Sequence, residues 1–150
     1  MRPTIRDASP FDIPDILDML RSYRALTPLP FLADANDAEY VTKMLTELMA
    51  GKGLVLIADK DGIAGMLIAV IAPSMWSPKH LIMTEMAYWV EPECRGGTMG
   101  YRLLAEYKQR GDELKKNGRI CNYLISKMSN SPNLQYQKFG FDKLEEFWVA

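Results

Sequence analysis

The stretch Val90–Tyr101, VEPECRGGTMGY, separates two parts of the chain that have different hydrophobic patterns. The preceding residues, LIMTEMAYWV, are almost continuously apolar and predict a strand. The residues from 98 to 117 carry Leu103, Leu104 and Leu114 at helical spacing and predict the strongest helix of the chain. A glycine-rich loop between a strand and a helix start presents unpaired backbone N–H groups, and Arg95 adds a planar cation. The stretch is therefore either a candidate anion site or a plain structural turn.

Two common phosphate motifs do not fit this loop. The dinucleotide fingerprint needs G-x-G-x-x-G, which RGGTMG does not supply. The P-loop needs a lysine after its last glycine, and here Tyr101 follows Gly100. If the loop binds phosphate, it does so through a motif other than these two.

The segments on either side predict an α/β (α+β) layer around one central mixed sheet. A short strand at Thr4–Arg6 precedes two helices, the second ending near Gly51. GLVLIAD and GIAGMLIAVIA follow as a hairpin with an Asp-Gly turn, and SMWSPKH reads as the loop before the next strand. After the long helix we expect a strand in ICNYLIS, a short helix in PNLQYQKF and a last strand in FDKLEEFWV.

Length and composition indicate an ordinary globular protein. The 150 residues are 48% hydrophobic and 25% charged, which suits one domain over residues 1–150. A net charge of −1 favours neither nucleic acid nor a membrane surface, and no apolar run is long enough to span a bilayer. Cys94, Cys121 and the single His80 do not have metal-ligand spacing, so we expect no metal. We expect a cytoplasmic protein, because the N-terminus lacks an apolar leader core and the cysteines form no disulfide framework.

The glycine loop resembles the acyl-CoA loop of the GNAT acyltransferase superfamily. That signature is a strand ending in V-x-P-x-x, then [QR]-x-x-G-x-[GA], then a long helix. Val90, Pro92, Arg95 and Gly100 match it, whereas Thr98 stands where the family usually has glycine. The Thr98 backbone N–H remains available, and its hydroxyl could add a donor or cap the helix.

A second motif near the C-terminus also resembles this family. In NSPNLQYQKFGF, Tyr136 lies four residues before Gly140 of a Gly-Phe pair, as in the family's last motif. The family's asparagine usually stands seven residues before the tyrosine. Here Ser129 has that place and Asn130 follows it. The first strand and helix, IRDASPFDIPDILDML, agree as well, so the resemblance spans the whole chain.

The resemblance implies a mostly antiparallel sheet with a splayed strand pair, 82–90 and 121–126, that receives acetyl-CoA as co-substrate. The pantetheine arm would lie along the open strand edge and the pyrophosphate on the loop N–H groups. The implied cofactor-binding residues are Met86, Tyr88, Trp89, Val90, Arg95, Gly96, Gly97, Thr98, Met99, Gly100, Tyr101 and Asn130.

Acyl transfer to an amine needs a base, because deprotonating an amine of pKa about 10.4 at pH 7 costs about 4.6 kcal/mol. Glu85 is the main candidate, since a carboxylate is unusual in an apolar strand. Strict alternation would put Glu85 on one face with Ala87 and Trp89. His80 is the second candidate base, in the loop before the strand. The resemblance implies that Tyr136 protonates the leaving CoA thiolate; packing against the last strand is its structural alternative.

The resemblance leaves the acceptor open. The first two helices and their connection would form its wall, with Arg24, Phe31 and Trp76 as candidate substrate-binding residues and Asp34 and Asp37 as candidate cation attractors. Either a small-molecule amine or a protein amine would fit, and a homodimer is possible. The alternative function is a GNAT-fold module that binds acyl-CoA or a protein partner with little catalysis.

Overall fold

The structure, a computed structural model, describes residues 2–150 and contains a five-stranded mixed sheet with helices on both faces. The strands lie in chain order; the first three pairings are antiparallel and the last is parallel, which confirms the expected mixed, mostly antiparallel sheet. The elements are β1 Thr4–Asp7, α1 Ile13–Leu26, α2 Ala38–Glu47, β2 Gly53–Asp59, β3 Ile63–Ser74, β4 Ser77–Val90, α3 Met99–Lys116 and β5 Asn122–Leu124.

Alternation in the central strands divides the core into two layers. Val55 and Ile57 of β2 face α1 and α2, whereas Leu54 and Leu56 face α3. The first layer is completed by Ile13, Ile16, Met19, Leu45 and Leu48, and the second by Met99, Leu103, Tyr107 and Ile120. The helical spacing of these side chains explains why the helices cover the two faces of the sheet.

The packing of α3 against β5 depends on Gly111. A Cβ atom built on Gly111 would lie 2.6 Å from the ring of Tyr123. The helix and the strand can therefore pack this closely because residue 111 has no side chain. Tyr107 adds a tether, because its buried hydroxyl donates a hydrogen bond to the Leu124 carbonyl at 2.6 Å. These contacts fix the end of β5 and thereby position the segment that follows it.

We expect Gly111→Ala to destabilise the protein by about 1–3 kcal/mol, because the added methyl group overpacks against Tyr123. An alanine in an exposed helix would instead stabilise by about 1 kcal/mol. Urea unfolding measures the change. Gly97→Ala is the control, because a Cβ at this position meets nothing within 4 Å. Its free energy of unfolding should equal or slightly exceed that of the parent protein. A stabilised Gly111→Ala would contradict this packing.

Two predicted elements differ from the structure. The loop predicted before β4 is a short turn, because Ser77 pairs with Ser74 and the strand includes His80. The last predicted strand, FDKLEEFWV, has no regular secondary structure. Its apolar residues Leu144, Phe147 and Trp148 are spaced three and four apart, which is not the period of two that a half-buried strand requires.

Within residues 2–150 the helices are all too short or too polar to cross a lipid bilayer.

Candidate active site

The cavity that we assign as the candidate active site opens where β4 and β5 separate. Their parallel pairing runs from Ile82 opposite Asn122 to Thr84 opposite Leu124, and β4 then continues to Val90 paired with β3 only. The gap holds a cavity of about 630 Å³. Its walls come from the end of α1, the second half of β4, the glycine loop and the segment after β5, so the splayed pair expected from the sequence is present.

A β-bulge at Met86 changes the faces of β4. Ala69 of β3 lies opposite Glu85 and Ile68 lies opposite Ala87, so Met86 has no register partner. Ala69 belongs to the core layer beneath α3, whereas Ile68 and Ala87 belong to the layer beneath α1 and α2. The prediction that Glu85 shares a face with Ala87 and Trp89 was therefore wrong, because an extra residue interrupts the alternation.

Glu85 lines the cavity as a buried carboxylate, with 7% of its surface exposed. Its Oε1 accepts hydrogen bonds from the backbone N–H of Ser126 at 3.0 Å and from the Ser126 hydroxyl at 2.9 Å. Burial raises the pKa of Glu85, and the two hydrogen bonds from Ser126 oppose that rise. No Lys or Arg within residues 2–150 forms an ion pair with it. The group can therefore attract a cation and also accept a proton.

Tyr136 lies in the same cavity on a short 3-10 turn, Tyr136–Phe139. Its hydroxyl donates a hydrogen bond to the Ser126 carbonyl at 3.1 Å. Burial, and secondarily the charge of Glu85, raise the pKa of Tyr136, so the phenol keeps its proton at neutral pH. Ser126 thus contacts both predicted catalytic residues. We did not single it out from the sequence, although a serine that ends the apolar run of ICNYLIS was the available signal.

Arg95 folds back into the cavity. Its Nε donates a hydrogen bond to the Val90 carbonyl at 2.8 Å, and its guanidinium carbon lies 4.5 Å from the ring centroid of Trp89. Tyr23 of α1 meets Trp89 edge-on, with centroids 5.9 Å apart. The indole N–H of Trp89 is buried and has no hydrogen-bond partner among residues 2–150. The guanidinium is therefore held by one hydrogen bond and one cation–π contact beside the cavity.

The glycines of the loop leave its backbone accessible. Gly96 has a φ of +91°, and a Cβ built on Gly96 or Gly97 would meet nothing within 4 Å. The Tyr88 hydroxyl donates a hydrogen bond to the Gly100 carbonyl, which ties β4 to the first turn of α3. Tyr101 stacks on Phe139, with centroids 5.9 Å apart.

Three predicted cofactor-binding residues have different surroundings. The Thr98 hydroxyl makes no capping hydrogen bond, although the residue occupies the N-cap position of α3. The Met99 side chain is buried in the core with Leu103, and that of Met86 is exposed outside the cavity. Met86 and Met99 therefore offer a cofactor only their backbone. Asn130 does line the cavity, and its Nδ2 donates to the Leu26 carbonyl at 2.6 Å, which joins α1 to the segment after β5.

The predicted acceptor residues Arg24, Phe31 and Trp76 do not line the cavity. Trp76 is 85% exposed in the turn between β3 and β4. The wall at the end of α1 consists instead of Tyr23, Leu26 and Thr27. The face of α1 that meets the gap is thus not the one that carries Arg24, because this face depends on the packing of α1 on the sheet.

The placement predicted for His80 also changes. His80 is exposed in the first half of β4 and does not line the cavity, so it is not near Glu85. Cys121 is exposed just before β5. Cys94 lies beside the glycine loop and lines the cavity as a free thiol.

Comparisons with solved structures show extensive similarity in fold at low sequence identity. The predicted acetyltransferase from Clostridium acetobutylicum, solved with acetyl-CoA, is 16% identical and has a TM-score of 0.70, covering 99% of this chain and 95% of that one. An aminoglycoside acetyltransferase from an uncultured soil metagenomic sample, solved with sisomicin, is 14% identical with a TM-score of 0.66 and coverages of 99% and 95%. A transcriptional regulator from Bacillus halodurans C-125 is 19% identical with a TM-score of 0.70 and coverages of 99% and 98%.

No protein-family model and no curated protein matches the sequence. The similarity to known proteins is therefore one of fold. The chain has the fold of the GNAT-type acetyltransferases, the family that its loop and its C-terminal motif resemble.

Proposed function

We propose that this protein transfers an acetyl group from acetyl-CoA to an amine by direct attack in a ternary complex. One observation carries the proposal: a buried carboxylate and a protonated phenol, Glu85 and Tyr136, face one cavity at the splay and are joined through Ser126. The cavity also adjoins the glycine loop, so a group bound at the loop can extend to both side chains. The structural similarity to an acetyltransferase solved with acetyl-CoA supports this cofactor.

Acetyl-CoA would bind along the free edge of β4. The pantetheine arm would follow the edge beyond Thr84, where β5 no longer pairs. The pyrophosphate would lie on the backbone N–H groups from Arg95 to Gly100, at the positive end of α3. The Arg95 guanidinium would then leave the Trp89 ring and turn toward the phosphates. Tyr88, Tyr101 and Asn130 would line the arm and its exit.

The bulge would serve the reaction itself. Because Met86 has no register partner, the backbone N–H groups around it are candidates to hold the thioester oxygen as it becomes an oxyanion. This donor belongs to the backbone and needs no particular side chain. The cofactor contact predicted at Met86 would then be made by the backbone and not by the exposed side chain.

The proton steps follow from the two side chains. An ammonium acceptor gives one proton to the Glu85 carboxylate, and the neutral nitrogen attacks the thioester carbonyl carbon. The carbon–sulfur bond breaks, and the sulfur accepts a proton from the Tyr136 hydroxyl. The second amine proton passes to the tyrosinate, and Glu85 releases its proton to solvent. The products are an acetamide, CoA thiol and one proton.

We expect Arg95→Glu to weaken acetyl-CoA binding by about 10- to 100-fold, because it replaces a charge-assisted phosphate contact with repulsion. Isothermal titration calorimetry measures the affinity, and circular dichroism checks the fold. Lys60→Glu makes the same change in net charge in the turn between β2 and β3 and should bind normally. Equal affinity of Arg95→Glu and the parent protein would remove the loop as the phosphate site.

The most direct test of the activity is CoA thiol release from acetyl-CoA with a panel of amines and lysine peptides. Acceptor-dependent release establishes the transfer. The fold is shared with a transcriptional regulator, which favours a second candidate, an acyl-CoA-binding module with little catalysis. Tight acetyl-CoA binding without release for any acceptor would favour that candidate. For either candidate we propose a cytoplasmic location, which the free thiols of Cys94 and Cys121 support.

A further inference from the structure

The charges that line the cavity are few. Among residues 2–150, the ionisable carboxylates and cations in its walls are Glu85 and Arg95 alone. Arg95 lies at the end near the glycine loop, against Trp89. Glu85 is therefore the one carboxylate that a cationic acceptor would meet in the described part of the chain. Asp34 and Asp37, which the sequence offered as cation attractors, do not line the cavity.

The walls around Glu85 are largely apolar or aromatic. Tyr23 and Leu26 at the end of α1 line the cavity together with Trp89 of β4, and Met128 and Leu134 of the segment after β5 line it as well. A further cation contacts the wall of the cavity, because Lys127 Nζ donates a hydrogen bond at 3.0 Å to Oδ1 of Asn133, which lines the cavity. The cavity thus has one carboxylate in its lining, with Arg95 in the lining and Lys127 against it, and this balance of charge disfavours an acceptor that carries several positive charges.

We infer that the acceptor is a small amine with one positive charge and an apolar or aromatic body; this inference rests on the proposed function. Its ammonium group pairs with Glu85, and its body packs against Tyr23, Leu26 and Trp89. A second ammonium group would enter the apolar part of the cavity without a partner, which is strongly unfavourable. A polycation such as sisomicin, found with the soil aminoglycoside acetyltransferase of the same fold, is therefore a poor fit here.

Hexylamine and 1,6-diaminohexane test the inference, because they have the same carbon chain and differ by one ammonium group. We expect kcat/KM for hexylamine to exceed that for the diamine by about 100-fold, from the unpaired charge. Leu26→Asp should reduce the hexylamine-to-diamine ratio of kcat/KM by about tenfold, because the new carboxylate can pair with the second ammonium group. Leu26 is 52% exposed, so the position tolerates a carboxylate. A diamine or sisomicin that is acetylated as well as hexylamine would overturn the inference and leave the transferase function intact.

Calorimetry of both amines with the CoA-loaded protein separates the two hypotheses. Preferential hexylamine binding without acetylation of any amine would remove the transferase function but support the inferred ligand class. Absence of binding and of acetylation for both amines would overturn both.

Discussion

Glu85→Gln is expected to lower kcat by about 10²- to 10⁴-fold, which is the usual contribution of a positioned general base. Glutamine can accept the same two hydrogen bonds from Ser126, so the geometry at the splay should persist. It cannot take the ammonium proton and cannot pair with a cation. The rate should also lose its acidic limb. In the parent protein the rate rises with pH as Glu85 ionises, at a pKa that burial holds above the ordinary glutamate value.

Glu85→Gln should lower the rate but should not lower the stability of the protein. Because the folded state raises the pKa of Glu85, the folded protein keeps this proton at a pH where the unfolded chain has lost it. Stability from this group is therefore present at low pH and falls as pH rises through the raised pKa. Glutamine stays neutral, so at pH 7 the free energy of unfolding of Glu85→Gln should equal or exceed that of the parent. Glu47→Gln on exposed α2 is the control for both measurements.

A Glu85→Gln protein that keeps its rate and its acidic limb would transfer the role of base to water. A variant that loses activity together with stability would show that Glu85 is structural. The two measurements, turnover against pH and urea unfolding at pH 7, therefore test the catalytic role independently of folding.

Tyr136→Phe is expected to lower kcat by about 10²-fold and to leave the affinity for acetyl-CoA nearly unchanged. Phenylalanine keeps the ring in place but removes the proton that the leaving sulfur needs. A tyrosine is a weaker acid than a thiol, and burial raises the pKa of Tyr136 further. Donation to sulfur therefore has to be coupled to the return of a proton from the amine nitrogen, which sets the effect at the lower end of the general-acid range.

A second acyl donor sharpens this test. A thioester with a more acidic thiol needs less protonation of its leaving group, so it should recover much of the lost rate in Tyr136→Phe. Tyr40→Phe removes an exposed phenol hydroxyl on α2, outside the cavity, and is the control. Equal loss with both donors would mean that Tyr136 orders the segment after β5 through its bond to Ser126 and donates no proton.

Some residues of the candidate site could be predicted from the sequence, and others could not. Glu85 and Tyr136 were found from their chemistry and their motif, and the cavity brings both together. Ser126 was not, because its role depends on β5 leaving β4 after Leu124 and presenting a backbone N–H, a hydroxyl and a carbonyl to the gap. Trp76 does not line the cavity, because it lies at the exposed tip of the β3–β4 hairpin.

The sequence alone determined the order of elements from β1 to β5, the position of the glycine loop before α3 and the two chemical groups proposed for the site, because these depend on local periodicity and residue type. Tertiary structure decided which way those groups point. The bulge at Met86 reversed the predicted faces of β4, and the packing of α1 replaced Arg24 by Tyr23 in the wall. Registers and helix rotations are set by contacts between elements distant in sequence, and local patterns do not specify them.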